Sequence, residues 1–420
     1  MQGSWSFLCV LLITSVTKNN AVENLIFEDT FDTLDPKNWE HEITAWGGGN
    51  WEFEVYTNDS KNSYVRDNTL YIKPTLLKDS INPLTGQPFG ESFLYNGTLD
   101  IRAMYGRCTN EMFYGCLRRG QDGQIVNPIM SARVRTKGKF SFKYGRLEVV
   151  AKMPAGDWIW PAIWLLPEDN EYGEWPRSGE IDLVEARGNR DLYGVNKSEL
   201  GVNAFASALH WGPIYNDNKF HLTDKTYTNK TANFADNFHK YVVDWSANGF
   251  RFSVDGHQFL EIPSPLLDEN PSFPGFWAWG NQSDGGWKNQ TQPNPWKDGT
   301  RLAPFDKAFH IIMNVAVGGT MGYFPDSLRD GSGNITKPWS NSDSKASATF
   351  WEAKDRWYPT WTAEGEGVAM QVKSVRVYQT EEESGTTMKT PDSSSGTILR
   401  MYSCSLLAVL FLMILAVRHF

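Results

Sequence analysis

The fold and the candidate site are decided together by a strand-like segment that carries three carboxylates within six residues: Glu180-Ile181-Asp182-Leu183-Val184-Glu185. Isoleucine, leucine and valine separate the acids and suit a buried β-strand. Because side chains alternate along a strand, Glu180 and Asp182 share one face and Glu185 falls on the other. A β-bulge with one extra residue would bring Glu185 onto the first face. The segment therefore predicts three carboxylates that project from one sheet.

Three carboxylates at close range have a definite chemistry. Their charges repel, so the pKa of at least one should rise, as a general acid near neutral pH requires. Two carboxyl groups about 5–5.5 Å apart are the arrangement of retaining glycoside hydrolysis, with one nucleophile and one acid/base. Asp182 would orient the nucleophile and tune its protonation. For the six residues alone, an exposed acidic strand without catalytic role is the alternative.

The residues on either side predict a single β domain. Alternating or aromatic-rich runs, typical of strands, recur at residues 69–73, 145–152, 240–245, 249–255, 309–315 and 371–378. Asn248-Gly249 and Asp255-Gly256 are hairpin signals on either side of one strand. No sustained 3.6-residue period occurs between residues 25 and 379, so we expect no intervening helices, and an all-β sandwich or jelly roll follows.

Composition excludes other classes of protein. The chain has 420 residues, 40 Lys and Arg against 49 Asp and Glu, and a formal net charge of −9. This acidic balance gives no cationic surface for nucleic acid, so no nucleic-acid partner is expected. The 18 Trp, 16 Tyr and 24 Phe are instead an unusually large supply of aromatic rings. No nucleophile elbow, phosphate-binding loop, dinucleotide fingerprint or HExxH zinc motif occurs.

Several motifs resemble glycoside hydrolase family 16. Residues 178–185 are similar to its ExDxxE signature, and residues 160–167 fit the segment that precedes it. Further similarity to the animal branch of laminarinase-like β-1,3-glucanases and β-1,3-glucan-binding proteins lies at residues 48–53, 62–67, 209–212 and 314–319. The resemblance covers about residues 25–380. It implies a jelly-roll sandwich of two curved antiparallel sheets, with a substrate cleft across the concave face.

The resemblance also implies roles for individual residues. Glu180 matches the nucleophile, Asp182 the assisting carboxylate and Glu185 the acid/base. The residues expected to contact the sugar are Trp160, Trp164, Trp175, His210, Asn50, Trp51 and Glu52. The tryptophans are candidate sugar platforms, because flat apolar sugar faces pack on aromatic rings. The open alternatives are a core role for the tryptophans and a satisfied core histidine for His210.

No cofactor is expected. Some members of the family hold a structural calcium through an acidic residue on the last strand. The apparent equivalent in this chain is Lys373. A lysine cannot supply a carboxylate to the ion, so we predict no metal site.

Both ends are expected to lie outside the domain. Residues 1–20 resemble a signal peptide with a short apolar segment, and a buried N-terminal strand is the alternative. Residues 21–379 form the predicted domain, and residues 380–396, rich in Glu, Ser and Thr, a polar linker. Residues 397–420 form a hydrophobic tail that fits a GPI signal, with a single-pass membrane helix and an irrelevant or cleaved tail as alternatives. The first two would hold the protein on the outer face of the plasma membrane.

Cysteines and sequons agree with secretion. Of the four cysteines, Cys9 lies in the predicted signal peptide and Cys404 in the hydrophobic tail, so Cys108 and Cys116 are left for the mature domain. They are predicted to form a disulfide, with two free thiols as the alternative. Candidate glycosylation sites are Asn58, Asn96, Asn196, Asn229, Asn281, Asn289 and Asn334. We expect a monomer.

The function that the sequence predicts is an extracellular, retaining endo-β-1,3-glucanase, because all three carboxylates of the signature are present. A β-1,3-glucan-binding protein of innate immunity without hydrolysis is the first alternative. A transglycosylase that passes the glycosyl unit to a sugar is the second.

Overall fold

The computed structural model describes residues 23–262, 274–288, 291–380 and 383. Its strands are β1 Glu23–Asp29, β2 Glu40–His41, β3 Glu54–Tyr56, β4 Ser63–Arg66, β5 Thr69–Ile72, β6 Thr75–Leu76, β7 Thr98–Asp100, β8 Leu117–Arg119, β9 Ile129–Ser131, β10 Arg133–Arg135, β11 Gly145–Lys152, β12 Ile159–Pro167, β13 Glu180–Ala186, β14 Ala204–His210, β15 Lys225–Thr228, β16 His239–Ser246, β17 Gly249–Val254, β18 His257–Ile262, β19 Phe309–Val317 and β20 Met370–Thr380. Its α-helices are α1 Glu91–Asn96, α2 Ile101–Tyr105, α3 Phe276–Gln282, α4 Ala346–Glu352 and α5 Lys354–Glu364.

Two large antiparallel sheets form a jelly-roll sandwich, as predicted. The first has the order β18-β17-β16-β11-β20-β5-β4, with β1 also paired to β20. The second has the order β15-β14-β13-β12-β19-β10-β2. Aromatic rings join the sheets: Trp245 on β16 meets Phe309 on β19 edge-on at 5.4 Å, and Tyr241 on β16 meets Phe205 on β14 at 5.2 Å. We call the face of the second sheet that is turned away from this core the site face.

The strand predictions are confirmed, since each predicted run lies within or within one residue of β5, β11, β16, β17, β19 or β20. Both predicted hairpins are present as well. β17 and β18 are joined through Asp255 and Gly256, whose φ angles are 50° and 81°. Two consecutive positive φ angles are what the preferred two-residue hairpin turn requires, and this explains the Asp-Gly pair.

The expectation of no helices is wrong. The longest helix, α5, buries Trp357 and Trp361, which are four residues apart and therefore share one face. Pro359 lies inside the same helix and removes a backbone donor there. A short helix interrupted by proline and flanked by polar residues gives too little hydrophobic periodicity to be recognised in the sequence.

Residues 23–380 form one compact unit, close to the predicted domain 21–379. The predicted signal peptide, the hydrophobic tail and nearly all of the predicted linker lie outside the described residues. No helix within the described part of the chain is long and apolar enough to cross a membrane.

Candidate active site

The bulge predicted in the acidic strand is present in β13. Asp182 pairs with Trp164 of β12, whereas the next pair joins Val184 to Ile163, so Leu183 is the extra residue. Leu183 and Val184 are both buried in the core, at 1% and 0% exposure. Two consecutive inward residues return Glu185 to the face that Glu180 and Asp182 occupy. All three carboxylates therefore lie on the site face.

His210 lies against two of these carboxylates. It lies opposite Glu180 on the neighbouring strand β14. Its Nε2 is 3.2 Å from Oδ2 of Asp182 and 3.8 Å from Oε1 of Glu180. The ring of Phe220 stacks on the imidazole at 5.0 Å. His210 is thus held against the carboxylates rather than within the hydrophobic core, which answers the alternative that the sequence left open.

The neighbours of His210 fix its tautomer. Nδ1 of His210 lies 2.7 Å from Nδ2 of Asn218. The Oδ1 atom of Asn218 accepts from the backbone N–H groups of Trp211 and Phe220, which settles the orientation of the amide. Nδ2 must therefore donate, and Nδ1 of the neutral imidazole must accept. The proton of the ring is left on Nε2, facing the carboxylates.

Tryptophan N–H groups hold the two glutamates. Nε1 of Trp175 donates to Oε2 of Glu180 over 2.9 Å, and Nε1 of Trp160 donates to Oε1 of Glu185 over 3.1 Å. The ring of Tyr323 stacks flat on Trp160 at 3.7 Å. Trp160 is only 7% exposed. Its observed contacts therefore orient Glu185, while the role of sugar platform predicted for it stays a prediction.

Burial perturbs all three carboxyl groups. It raises the pKa of Glu180 to about 8, and the charge of Asp182 adds to the effect. It also raises the pKa of Asp182 well above its usual range. The pKa of Glu185 is raised by burial against the opposing effects of His210, Arg187 and the bond from Trp160. The rise in pKa that crowding of the charges predicts is confirmed, but burial is the largest cause of that rise. The three carboxyl groups Glu180, Asp182 and Glu185, called the triad below, therefore each hold a proton to higher pH than a free carboxyl group does.

These raised pKa values predict how stability depends on pH. Glu180 has an ordinary pKa of 4.5, so between pH 4.5 and about 8 the folded chain keeps a proton that the unfolded chain has released. Stability contributed by that proton is lost as the pH rises through this window. We expect Glu180→Gln to raise Tm by on the order of 2–4 °C at pH 8 and by less at pH 5. Scanning calorimetry at both pH values measures this difference.

Glu174→Gln is the control for that experiment, because Glu174 is exposed and lies six residues before Glu180. Its Tm should change equally at the two pH values. An equal Tm change for Glu180→Gln at pH 5 and pH 8 would show that Glu180 holds no extra proton in the folded state.

A second polar group extends the site across the sheet. Nε1 of Trp164 donates to Oδ1 of Asn314 over 2.7 Å, and Nδ2 of Asn314 donates to the hydroxyl of Tyr56 over 3.1 Å. That hydroxyl donates to Glu52, which also accepts from Asn50. The charge of Glu52 also raises the pKa of Glu185, so this network borders the triad. It can offer both donors and acceptors to sugar hydroxyl groups.

The glycine run before Glu52 makes room for its carboxylate. Gly48 has a φ of 60°, and a Cβ atom there would lie 2.1 Å from Oε1 of Glu52. No other residue fits this position without displacing the carboxylate. The three consecutive glycines at residues 47–49 are therefore part of the site, although none contributes a side chain.

The structure brings together most of the predicted sugar-contacting residues. Trp160, Trp175 and His210 surround the carboxylates, while Trp164, Asn50 and Glu52 belong to the neighbouring network. Trp51 is 39% exposed and contacts Phe113 at 5.3 Å.

Sequence reasoning missed Tyr56, Asn218, Asn314 and Tyr323 as site residues. Asn314 lies in a motif that carries the family resemblance, and its place on an otherwise apolar strand was the available signal. Tyr323 comes from a segment distant in the chain, whereas Tyr56 and Asn218 lie close in sequence to Glu52 and His210, their partners in the site. No sequence motif marks these three residues.

The donor atoms at the triad could also hold a cation. Ligand atoms of Glu180, Asp182 and His210 lie within 4.8 Å of one another. Their contacts with Trp175 and Asn218 account for the same arrangement without an ion. Cys108 and Cys116 are joined by a disulfide, as predicted.

Known proteins similar to this chain agree with the geometry. The family described as Glycosyl hydrolases family 16 matches residues 120–291. The β-1,3-glucan-binding protein of Penaeus monodon is 47% identical over 85% of this chain and 90% of its own length. The Gram-negative bacteria-binding protein 1 of Drosophila melanogaster is 34% identical over 85% of this chain and 65% of its own length.

An enzyme is also among the relatives. The glucan endo-1,3-beta-glucosidase A1 of Niallia circulans is 32% identical over 70% of this chain, although only 34% of that protein is covered. The family match, the jelly-roll sandwich and the 47% identity to a protein matched over nearly its whole length lead to one conclusion. The chain belongs to glycosyl hydrolase family 16, in the branch of the animal β-1,3-glucan-binding proteins.

Proposed function

We propose that this protein binds β-1,3-glucan across the site face and hydrolyses it with retention of anomeric configuration. The observation that carries the proposal is the bulged strand β13, which places Glu180, Asp182 and Glu185 on one face beside His210. A protein that only binds glucan has no need of three buried carboxylates that repel one another. Catalysis explains why three buried carboxylates that repel one another lie together.

The proposed reaction follows the double-displacement scheme. Glu185, in its protonated form, gives its proton to the glycosidic oxygen while the carboxylate of Glu180 attacks the anomeric carbon. The leaving sugar departs with that proton, and a glycosyl ester on Glu180 remains. Glu185 then removes a proton from water, whose oxygen attacks the anomeric carbon and releases Glu180. The enzyme returns to its starting protonation state.

Asp182 has an electrostatic role in this proposal. Glu180 must be ionised to attack, yet burial raises its pKa. A proton held by Asp182, whose own pKa burial raises well above its usual range, removes the nearest negative charge. Trp175 donates to Glu180 and favours its ionised form. Asp182 thus lowers the electrostatic cost of ionising the nucleophile.

Binding without hydrolysis is the second candidate function. It is favoured by the names of the animal relatives, which are those of binding proteins. The glucan would occupy the same face, and the carboxylates would serve only as hydrogen-bond partners. The two candidates share a ligand and differ in turnover.

One experiment separates the two functions. The full-length protein is incubated with laminarin, and new reducing ends are measured beside pull-down on insoluble β-1,3-glucan. We expect release of reducing ends by the unmodified protein, and pull-down without release by Glu180→Gln. Pull-down by both proteins without release by either would favour the recognition function. Loss of both activities would remove the glucan proposal.

We also propose that the protein acts outside the cell. Support comes from the disulfide between Cys108 and Cys116 and from the sequons. Five of the candidate asparagines are exposed, namely Asn58, Asn96, Asn196, Asn281 and Asn334, and Asn229 is half-buried. Asn289 lies outside the described residues. Attachment through the C-terminal tail remains part of this proposal.

A further inference from the structure

A loop beside the site presents aromatic rings to solvent. It runs from Cys108 to Cys116 and is closed by their disulfide. At its tip Phe113 is 44% exposed and Tyr114 is 74% exposed. Both residues have a positive φ, 48° and 63°, which bulky side chains rarely adopt. Such a backbone persists only where its surroundings enforce it.

Backbone contacts fasten this aromatic loop to the segment that leads into the site. Thr109 and Ile43 exchange hydrogen bonds, with the Thr109 N–H donating to the Ile43 carbonyl and the Ile43 N–H donating to the Thr109 hydroxyl. The N–H of Ala45 donates to the carbonyl of Gly115 over 2.8 Å. A Cβ atom at Gly115 would lie 2.8 Å from the Cβ of Trp46, so the two segments are in close contact. The loop is therefore a fixed part of the domain surface.

The exposed ring of Phe113 lies beside aromatic rings of the segment that leads into the site. Phe113 lies 5.3 Å from Trp51 and nearly parallel to Trp46 at 6.5 Å. Trp51 is itself 39% exposed and stands between Asn50 and Glu52, which belong to the polar network beside the triad. A row of exposed aromatic residues thus starts beside the hydrogen-bonding groups of the site with Trp51 and Phe113, and Tyr114 follows Phe113 in the chain.

We infer that Trp51, Phe113 and Tyr114 form a distal subsite for the glucan chain, beyond the sugars that occupy the triad and its network. The inference rests on the proposed function. The row adjoins the glucan site, and we therefore take glucan as the ligand that the row binds. Apolar faces of successive sugars pack on aromatic rings, while their hydroxyl groups remain in water. Rings that are held rigidly lose little entropy on binding, so the fixed loop strengthens the contact.

The test compares long and short glucans. Laminarin and laminaritriose are titrated by calorimetry into the full-length Glu180→Gln protein, which keeps the glucan intact. Two further proteins are made in the same background. One carries Tyr114→Ser alone, and the other carries both Phe113→Ser and Tyr114→Ser. We expect the double variant to bind laminarin about 10-fold more weakly and to bind laminaritriose unchanged. Met112→Ser is the control, because Met112 is 57% exposed on the same loop but offers no ring.

Each outcome has a definite meaning. Selective loss of laminarin affinity in the ring variants, but not in Met112→Ser, supports the distal subsite. Equal affinity for laminarin in all variants, or an equal loss for both ligands, overturns it. A Glu180→Gln background that binds neither ligand contradicts glucan binding itself, and with it the proposed function. The single variant Tyr114→Ser controls for misfolding, since the hydroxyphenyl group of Tyr114 is largely exposed and its replacement should leave the fold intact.

Discussion

Replacing Glu180 by alanine is expected to lower the rate of laminarin hydrolysis by at least about 10³-fold. The side chain is the proposed nucleophile, and its removal leaves no group to form the glycosyl ester. Glucan affinity should persist, since Trp164, Asn314 and the polar network are untouched. Initial rates of reducing-end release, measured beside a binding isotherm, give both quantities.

A small nucleophile tests the assignment of Glu180 further. Alanine leaves a space on the face from which the carboxylate would attack. Azide added to Glu180→Ala should enter that space and give an α-linked glycosyl azide from a β-linked aryl laminaribioside. Glu174→Ala is the control, because its exposed carboxylate is expected to leave the rate unchanged. Activity of Glu180→Ala near that of the unmodified protein would place the nucleophile elsewhere.

Replacing Glu185 by alanine should have an effect that depends on the leaving group. Hydrolysis of laminarin should fall by about 10²–10⁴-fold, because the departing sugar oxygen needs a proton. Cleavage of dinitrophenyl β-laminaribioside should lose far less in its first step, since dinitrophenolate leaves without protonation. Stopped-flow absorbance of the released phenolate separates this first step from later turnover.

The second step of the Glu185 variant provides an independent check. Without its base, water attacks the glycosyl ester slowly, and the ester should accumulate. Azide needs no base and should restore turnover with a β-linked glycosyl azide, the opposite anomer from the Glu180 variant. If both variants gave the same anomer, the roles of nucleophile and acid/base would not be divided as proposed.

The sequence predicts the core of the site well because its information is local. Three acids in an apolar segment define strand β13, and their spacing requires the bulge at Leu183. The same spacing carries the family resemblance. Short alternating runs likewise locate β11, β16 and β17, since each is bounded by glycine or a turn pair.

Features that depend on the packing of loops and distant segments, or on an irregular helix, could not be predicted from the sequence. Trp160 is expected to be a sugar platform because flat apolar sugar faces pack on aromatic rings, but Tyr323, more than a hundred residues later, stacks on that ring. The tautomer of His210 depends on Asn218, whose amide is oriented by backbone groups of a loop. Helix α5 was missed because its two buried tryptophans follow a proline-interrupted pattern.

Burial connects the fold to the proposed chemistry. The carboxylates lie on a sheet whose neighbouring strands supply Trp160, Trp164 and His210. These large rings exclude water from the acids, and the loss of hydration raises the pKa of each. The aromatic content of the sequence thus has a chemical consequence beyond packing, since it prepares protonated carboxyl groups at neutral pH.

The most direct measurement of the central claim is the anomeric configuration of the first product. Laminarihexaose is added to the full-length protein, and proton NMR spectra are recorded before mutarotation equilibrates the new reducing ends. The account predicts that the β-anomer appears first, because two displacements at the same carbon retain its configuration. Initial appearance of the α-anomer, or the absence of any new reducing end, would contradict it.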